Sequence, residues 1–276
     1  MVDLPPLNPA DLLRQHGLRP DKRLGQNFLV DEIHLTRIVR AAEVDSTDNV
    51  LEVGPGLGAL TRHLSAAAHR VVAVELDADL LPPLRQVLEG CENVEIVHGD
   101  ILEFDPAGHF RQPGYLVVAN IPYYLTSNLI RHLLESDPKP GRIALTVQRE
   151  VARRATATPG DLSLLALSIQ LYGQPRIVHH IPAGAFYPAP KVDSSLLLID
   201  LYDAPELATE HIESFFELAK AAFNQKRKTL ANSLAALPGW DKELASQRLE
   251  AAGIESRRRP QTLSLQEWGR LVAISR

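Results

Sequence analysis

Asn120-Ile121-Pro122-Tyr123 is the segment of this 276-residue chain whose residue types indicate the most specific chemistry. The side-chain amide of Asn120 and the main-chain carbonyl of Ile121 offer two oxygen acceptors on a backbone that Pro122 fixes. Two such acceptors can bind both N–H bonds of an adenine amine and direct its lone pair toward a methyl group. Tyr123 can stack on an extruded base. The segment therefore predicts methylation of an adenine amine; the alternative is an Asn-x-Pro turn, which leaves Tyr123 unexplained.

A glycine-rich segment, Gly54-Pro55-Gly56-Leu57-Gly58, follows the first apolar run. Glycine lets the backbone approach a ligand closely and turn tightly into a helix. The spacing differs from the Gly-x-Gly-x-x-Gly of dinucleotide-binding proteins, and no P-loop lysine follows. Pro55 also removes a backbone donor that a phosphate would use. Gly54 and Gly56 are therefore predicted to bind a nucleoside without phosphate, with a purely structural turn as the alternative.

Two acidic residues end the next two apolar runs. Glu75 lies 21 residues after Gly54, and Asp100 follows Gly99 after the third run. A carboxylate at the first position can accept hydrogen bonds from both ribose hydroxyls, and one at the second from an adenine amine. Either could instead cap a helix. Together they favour an adenosine site, and an adenosine site beside a methylation centre indicates S-adenosylmethionine.

Two further segments fit the same chemistry. Gly25-Gln26-Asn27-Phe28-Leu29 precedes the first run and can fold over the methionine end of the cofactor. In the later segment 186–194, Phe186 can supply the second face of a base sandwich and Lys191 a phosphate contact. A role for Phe186 in the core is the alternative.

Short apolar runs bounded by Gly, Pro, Asp or Asn must position these residues. Such runs are typical of central strands in a parallel sheet, and helix-like stretches separate them. They predict a doubly wound α/β domain, in which the carboxyl ends of the strands meet at one edge. The predicted strands span residues 50–53, 71–76, 94–98, 115–119 and 143–147, and a strand pair spans residues 176–181 and 194–201.

The pattern changes near residue 205, beyond which helical periodicity replaces strand signals. Helices are expected over residues 210–237, in one or two pieces, 241–252 and 265–274. In the α/β part, Pro82-Pro83 predicts a helix that begins or kinks there. We therefore divide the chain into an N-terminal leader (1–20), a catalytic domain (21–204) and a helical C-terminal domain (205–276).

Composition narrows the class of protein. The chain is 45% apolar and 23% charged, as in an ordinary soluble globular protein. We find no signal-peptide pattern and no apolar run of membrane-spanning length, and Cys91 is the only cysteine, which together predict a cytoplasmic protein without membrane association. The ten histidines show no metal-ligand spacing, so we expect no metal.

The net charge of −5 conceals a division along the chain. From Lys220 to Arg276 there are eleven Lys or Arg and five Asp or Glu, a local charge of +6, so that the first 219 residues carry −11. A basic segment on an acidic body is consistent with a surface that faces a polyanion. Solvated helix faces are the alternative.

Taken in order, these motifs resemble those of the ribosomal RNA adenine dimethyltransferases. Within that family the chain is similar to the housekeeping members, which dimethylate two adjacent adenosines in a hairpin near the 3′ end of small-subunit rRNA during ribosome assembly. Ile121 departs from many of those members, which have Leu there, whereas Ile is common in the antibiotic-resistance relatives. The matching residues are 25–29, 52–58, 75, 99–100, 120–123, 186–195 and 223–230.

The resemblance implies a seven-stranded, Rossmann-like methyltransferase sheet whose last two strands form an antiparallel hairpin, with an rRNA-binding helical domain. S-adenosylmethionine is the implied cofactor, and we expect a monomer. The implied cofactor residues are Asn27, Leu29, Gly54, Glu75, Asp100 and Asn120, together with Gly56 of the glycine-rich segment. Those holding the target base are Asn120, Tyr123 and Phe186. The expected RNA contacts are Lys22, Arg23, Lys191, Lys226, Arg227, Lys228, Arg257, Arg258 and Arg259.

Two other functions remain open on the sequence alone. One is the same reaction on large-subunit rRNA, as in the macrolide-resistance enzymes. The other is a non-catalytic RNA-binding assembly factor that keeps the fold. The acidic residues and the Asn120 segment are intact, which favours an enzyme over the second alternative.

Overall fold

A seven-stranded sheet forms the centre of the first of two compact units. The computed structural model describes residues 4–122, 125–225 and 227–275, so the predicted roles of Tyr123 and Lys226 lie outside the described residues. The first unit comprises residues 1–152 and 175–201. The strands of its main sheet are β2 (Asn49–Val53), β3 (Arg70–Glu75), β4 (Val94–His98), β5 (Leu116–Asn120), β6 (Arg142–Gln148), β7 (Gly173–Ile181) and β9 (Ser194–Leu201).

The strand order β4-β3-β2-β5-β6-β9-β7 places β2, the first strand of the main sheet, in its interior. The neighbours from β4 through β6 are parallel, and β9 is antiparallel to β6. Parallel strands require crossover connections, and three of them contain a helix: α3 (Ala59–Ala67), α4 (Leu81–Val87) and α5 (Thr126–Glu135). Helix α2 (Glu32–Ala41) precedes the main sheet, and α6 (Arg149–Ala155) follows β6. The predicted α/β class and seven-stranded sheet are confirmed. The carboxyl ends of β2, β3, β4 and β5 therefore share one edge.

The residues of β2 and β5 explain their central position. Four of the five residues in each strand are buried, because both faces of the sheet are covered. The α4 helix begins at Leu81, directly after a 3₁₀ turn over Ala78–Leu80. Pro82 and Pro83 thus lie in its first turn, where a missing N–H costs no helical hydrogen bond. The sequence prediction of a helix starting near the prolines is confirmed.

A two-stranded ribbon was not predicted. Strand β1 (Phe28–Leu29) pairs antiparallel with β8 (Phe186–Tyr187), with Phe28 opposite Tyr187 and Leu29 opposite Phe186. The Val30 N–H extends the pairing by donating to the Ala185 carbonyl at 3.0 Å. The two segments that the sequence placed over the ligand are therefore hydrogen-bonded to each other.

Part of the predicted leader (1–20) is built into the first unit. Helix α1 (Pro9–Gln15) begins at an Asn8 cap, and its Leu12 and Leu13 are buried. These side chains form an apolar cluster with Phe28, Leu57 and Leu80. Burial of this apolar face fixes the segment against the glycine-rich loop.

The second unit is helical and comprises residues 153–174 and 202–276. It contains α7 (Leu164–Gln170), α8 (Thr209–Asn224), α9 (Leu230–Leu234), α10 (Lys242–Ala251) and α11 (Leu265–Ile274). The sequence assigned residues 153–174 to the catalytic domain, and the structure differs. The reason is packing: Ala166, Leu167 and Leu171 are buried in one core with Phe215 and Trp268. Within the described ranges, no helix is long and apolar enough to cross a membrane.

Candidate active site

A cavity of about 240 Å³ lies at the carboxyl edge of the parallel strands. Its walls come from the ends of β2, β3 and β5, the turns that follow them, and the β1–β8 ribbon. This is the edge at which ligands of doubly wound sheets bind. Of the predicted cofactor and base residues, the structure brings together Asn27, Leu29, Gly54, Gly56, Glu75, Asp100, Asn120 and Phe186.

The glycine-rich loop is held to the end of β3 by a carboxylate. The Gly56 N–H donates to Glu75 Oε2 at 2.9 Å, and the Asp77 N–H donates to Glu75 Oε1 at 2.9 Å. Gly56 has a φ of +58°, and a Cβ there would lie 3.0 Å from the Phe28 ring. Glycine is therefore required both by the backbone conformation and by the close approach.

Glu75 has the remaining capacity that a ribose needs. Its side chain is only 6% exposed, and each carboxylate oxygen accepts one backbone N–H, which leaves a further lone pair on each oxygen. Burial raises the pKa of the Glu75 carboxyl, although the N–H donations from Asp77 and Gly56 oppose the shift. The position of Glu75 and the remaining lone pair on each of its oxygens fit the two hydroxyls of a ribose bound at the end of β3.

Asp100 combines the two roles that the sequence left open. Its Oδ1 accepts the Leu102 N–H at 2.9 Å and so caps the following turn, while the residue also lines the cavity. The preceding Gly99 N–H donates to the Glu75 carbonyl at 2.9 Å, which sets the separation of the two acids. Apolar side chains of Leu76 and Ile101 line the wall beside them. The carboxylate acceptors and the apolar side chains present fit an adenosine.

Asn120 is oriented by the loop that precedes the sheet. At the end of β5 its Nδ2 donates to the Asn27 main-chain carbonyl at 3.0 Å, and Asn27 Nδ2 in turn donates to the Gly25 carbonyl at 2.9 Å. Because the NH₂ group is engaged with a carbonyl, the amide oxygen Oδ1 is the atom left as an acceptor. Ile121 and Pro122, which follow, also line the cavity.

A second link ties this loop to the cofactor edge. Gln26 Nε2 donates to Asp77 Oδ2 at 2.7 Å, and Gln26 Oε1 accepts the Asp21 N–H at 2.8 Å. Since Asp77 also donates to Glu75, the loop, the end of β3 and the glycine-rich segment form one hydrogen-bonded frame. These hydrogen bonds hold residues 25–29 at the edge of the cavity. They provide a physical basis for the prediction that this segment lies over the ligand.

The sequence allowed Phe186 to be either a stacking residue for the target base or a core residue, and its surroundings are compatible with both roles. It is 5% exposed and packs with Leu29 and other core residues, and it also lines the cavity. A buried ring that lines a cavity is held rigidly, which suits a stacking surface.

Glu52 is a site residue that the sequence reasoning did not single out. It lies within β2, is 1% exposed, lines the cavity, and its Oε2 has no hydrogen-bond partner among the described residues. Burial raises its pKa to about 8; the Thr61 hydroxyl opposes the shift and the Glu75 carboxylate adds to it. The only signal in the sequence was a charged residue inside a buried apolar run.

Replacement of Glu52 by glutamine is expected to reduce the pH dependence of stability. The folded state holds a proton at Glu52 up to a pH of about 8, whereas the unfolded chain releases it near 4.5. The free energy of unfolding therefore falls as pH rises through this window, by roughly 1.4 kcal/mol per pH unit for one proton. Urea denaturation of the ligand-free protein measures the free energy of unfolding at pH 5 and pH 8. Relative to the wild type, Glu52→Gln should increase this free energy at pH 8 only. An equal effect at both pH values would contradict the buried neutral carboxyl.

The basic residues predicted to contact RNA have different environments. Lys22 and Arg23 are exposed, but Arg23 pairs with Asp21 at 2.9 Å. Lys191 is exposed in the loop before β9. In the helical unit, four of the predicted RNA contacts are exposed: Arg227, Lys228, Arg257 and Arg259. The three predicted contacts of the first unit, Lys22, Arg23 and Lys191, do not line the cavity.

Backbone hydrogen bonds bring two of the basic segments close to each other. The Leu230 N–H donates to the Arg258 carbonyl at 2.8 Å, and the Ala231 N–H donates to the Ser256 carbonyl at 3.3 Å. The start of α9, two residues after Lys228, therefore lies against the segment that carries Arg257 and Arg259.

Arg258 has a different role from the predicted phosphate contact. Its guanidinium donates to the Thr262 carbonyl at 2.6 Å and to Glu267 Oε2 at 3.0 Å. Glu267 closes a capping box with Ser264 at the start of α11, and Arg258 lowers the pKa of its carboxyl. Sequence alone could not separate this residue from its neighbours, because all three are arginines and only one faces Glu267.

Comparison with known protein families and curated sequences gives consistent matches. A family described as "Ribosomal RNA adenine dimethylase" matches residues 17–270. A protein of Moorella thermoacetica named "Ribosomal RNA small subunit methyltransferase A" is 43% identical over 268 residues, covering 93% of this chain and 93% of its own length. A protein of the same name from Dehalococcoides mccartyi is 42% identical over 265 residues, covering 96% and 91%.

Two solved structures are similar over most of the chain. The 23S rRNA methyltransferase ErmE is 29% identical with a TM-score of 0.72, covering 90% of this chain and 99% of its own. A dimethyladenosine transferase from Plasmodium falciparum is 25% identical with a TM-score of 0.76, covering 88% and 95%.

Proposed function

Because the chain belongs to the ribosomal RNA adenine dimethylase family, we propose that it transfers methyl groups from S-adenosylmethionine to the N6 amine of adenosines in ribosomal RNA. This membership confirms the resemblance inferred from the motifs. The names of the curated relatives support an enzyme that acts on the small subunit.

The observation that carries the proposal is the orientation of Asn120 at the cavity. Its NH₂ group donates to the Asn27 carbonyl, so its Oδ1 is fixed as an acceptor beside the cofactor edge. An adenine amine is a poor nucleophile, because its lone pair is delocalised into the ring. Acceptance of its two N–H bonds by Asn120 Oδ1 and the Ile121 carbonyl holds the nitrogen with its lone pair directed along the bond that forms.

Other residues of this chain bind and position. Glu75 accepts from the ribose hydroxyls, Asp100 from the adenine amine of the cofactor, and Asn27 and Leu29 cover its methionine end. Phe186 supplies one face for the target base, and Tyr123 is assigned the other. S-adenosylmethionine, when bound, supplies an electrophilic methyl group. The amine becomes strongly acidic once it carries the new methyl and releases a proton to water, so a strong base is not required.

The substrate in this proposal is a pair of adjacent adenosines in a hairpin near the 3′ end of small-subunit rRNA, in an assembling subunit in the cytoplasm. The protein acts as a monomer. The identity of 42–43% to small-subunit enzymes over more than nine-tenths of the chain supports this choice. The second candidate is large-subunit rRNA, which the similarity to ErmE and the residue Ile121 favour.

A methylation assay separates the two substrates. The protein is incubated with labelled S-adenosylmethionine and either unmethylated small subunits or naked large-subunit rRNA. We expect label in the small subunits, with two dimethylated adenosines per subunit. Label confined to the large-subunit rRNA would overturn the small-subunit assignment.

The helical domain, residues 205–276 in the predicted division, is assigned to rRNA binding through exposed arginines and lysines. Phosphate contacts position RNA without reading its sequence and release counterions. The double replacement Arg257→Gln with Arg259→Gln should weaken binding to small subunits and lower the slope of log affinity against log salt by about two. Filter binding at several salt concentrations measures this slope.

Arg258→Gln is the matched control within the same segment. It removes the hydrogen bonds to Thr262 and Glu267, so it should lower the melting temperature and leave the salt slope unchanged. An unchanged slope in the double variant would contradict a phosphate role for Arg257 and Arg259.

A further inference from the structure

Two residues of the predicted leader reach the cavity. Leu7 and Pro9 line it, together with the glycine-rich loop and strand β1. Pro9 is buried and Leu7 is half-buried. Neither the motifs nor the chemistry proposed above gives these two residues a role. Binding cavities are lined mostly by apolar side chains that contact the ligand, so both residues are candidates for such a contact.

Leu7 packs against two apolar clusters at once. One cluster contains Leu29 and Leu60, and the other contains Phe28 and Leu57. All four of these residues line the cavity as well. Phe28 and Leu29 form β1, whereas Leu57 belongs to the glycine-rich loop and Leu60 to the start of α3. Leu7 therefore bridges β1 and the glycine-rich loop, on the side of the cavity that these two elements form.

Hydrogen bonds fix the segment that carries Leu7 at both of its ends. Before Leu7, the Pro5 carbonyl accepts from Arg62 Nη1 of α3 at 3.0 Å, and the Arg62 side chain is only 10% exposed. After α1, His16 Nε2 lies 2.7 Å from Gln86 Oε1 of α4 in a hydrogen bond. The segment is thus tied to two helices of the first unit. A wall that is held in this way loses little conformational entropy when a ligand binds.

We propose that Leu7 and Pro9 form part of the S-adenosylmethionine site and cover the aliphatic part of the bound cofactor. This inference rests on the proposed function, in which Leu29, on the same side of the cavity, covers the methionine end. The methylene groups there form no hydrogen bonds, and apolar side chains stabilise the complex by removing that surface from water. Arg62 does not line the cavity, and its role is to position the segment.

Isothermal titration calorimetry with S-adenosylmethionine tests the contact. Leu7→Ala should raise the cofactor Kd about ten-fold, because truncation of the leucine removes apolar area from the contact. Leu18→Ala is the matched control: Leu18 is also half-buried and packs against one of the same clusters, but it does not line the cavity. Both variants should lower the melting temperature, whereas Leu18→Ala should keep the wild-type Kd.

Two replacements of Arg62 test the positioning role. Arg62→Met retains an apolar stem but removes the donor to the Pro5 carbonyl, so it should raise the cofactor Kd about three-fold, as expected for one hydrogen bond. Arg62→Lys retains a donor and should restore the wild-type Kd. Equal Kd values in Arg62→Met and the wild type would refute the positioning role.

Three results would overturn the cofactor contact itself. One is a wild-type Kd in Leu7→Ala, and another is an equal loss of affinity in Leu18→Ala. The third is tighter binding by Leu7→Ala, which would show that the segment obstructs the cavity. Absence of S-adenosylmethionine binding by the wild-type protein would instead refute the proposed function.

Discussion

Asn120→Ala is expected to lower kcat by about two to three orders of magnitude. This size corresponds to one preorganised hydrogen bond that acts on the reacting group in the transition state. Its physical basis is the bond from Asn120 Nδ2 to the Asn27 carbonyl, which fixes Oδ1 as an acceptor before substrate arrives. Single-turnover methylation of unmethylated small subunits measures the effect without interference from product release.

Asn49→Ala is a suitable control for this prediction. Asn49 is exposed and begins β2, at the opposite end of the sheet from the cavity. Its replacement should leave kcat unchanged, and both variants should melt at temperatures close to that of the wild type. Dimethylation by Asn120→Ala at the wild-type rate would contradict the role that we assign to the amide.

Glu75→Ala should weaken S-adenosylmethionine binding by about two orders of magnitude or more. Hydrogen bonds to a charged acceptor each contribute roughly 1.5–3 kcal/mol, and the carboxylate is assigned both ribose hydroxyls. The replacement also releases the N–H groups of Gly56 and Asp77, which Glu75 holds at 2.9 Å, so the glycine-rich loop loses its anchor. Isothermal titration calorimetry gives the Kd directly.

Two further variants are compared with Glu75→Ala: the conservative change Glu75→Gln and the control Glu89→Ala. Glutamine retains the shape and one acceptor oxygen, so we expect an intermediate Kd, whereas the exposed Glu89 should be replaceable without effect. Wild-type affinity in Glu75→Ala would show that the acid is only a structural anchor. Absence of S-adenosylmethionine binding by the wild-type protein would favour the non-catalytic assembly factor.

The residues at the cofactor edge could be predicted because their positions follow from short segments of sequence. In a parallel sheet, residues that end consecutive strands meet at one edge, so Glu75 and Asp100 could be placed together from the apolar runs before them. The glycine spacing and the Asn120 segment are equally local. The expectation of seven strands followed from the family resemblance, whereas the strand order, with β9 between β6 and β7, was not predicted and is given by the structure.

Other features depended on contacts between distant parts of the chain. The β1 and β8 strands have two residues each, which is too short for a periodic signal, and they form only because they pair. The inward orientation of Arg258 depends on Glu267, and the neutral carboxyl of Glu52 depends on burial by the whole sheet. Likewise, Leu167 and Leu171 show an ordinary helical pattern, and only packing on Phe215 assigns them to the helical unit.

Nucleoside mass spectrometry of small-subunit rRNA tests the central claim most directly. The rRNA is taken from cells that lack this protein, and from the same cells after return of the wild-type gene or of the Asn120→Ala variant. We predict that two adjacent adenosines near the 3′ end lack both N6 methyl groups in the deficient cells. The wild-type gene should restore N6,N6-dimethyladenosine, and the Asn120→Ala gene should not. Full dimethylation at both positions in the deficient cells would contradict the assignment of this activity to this chain.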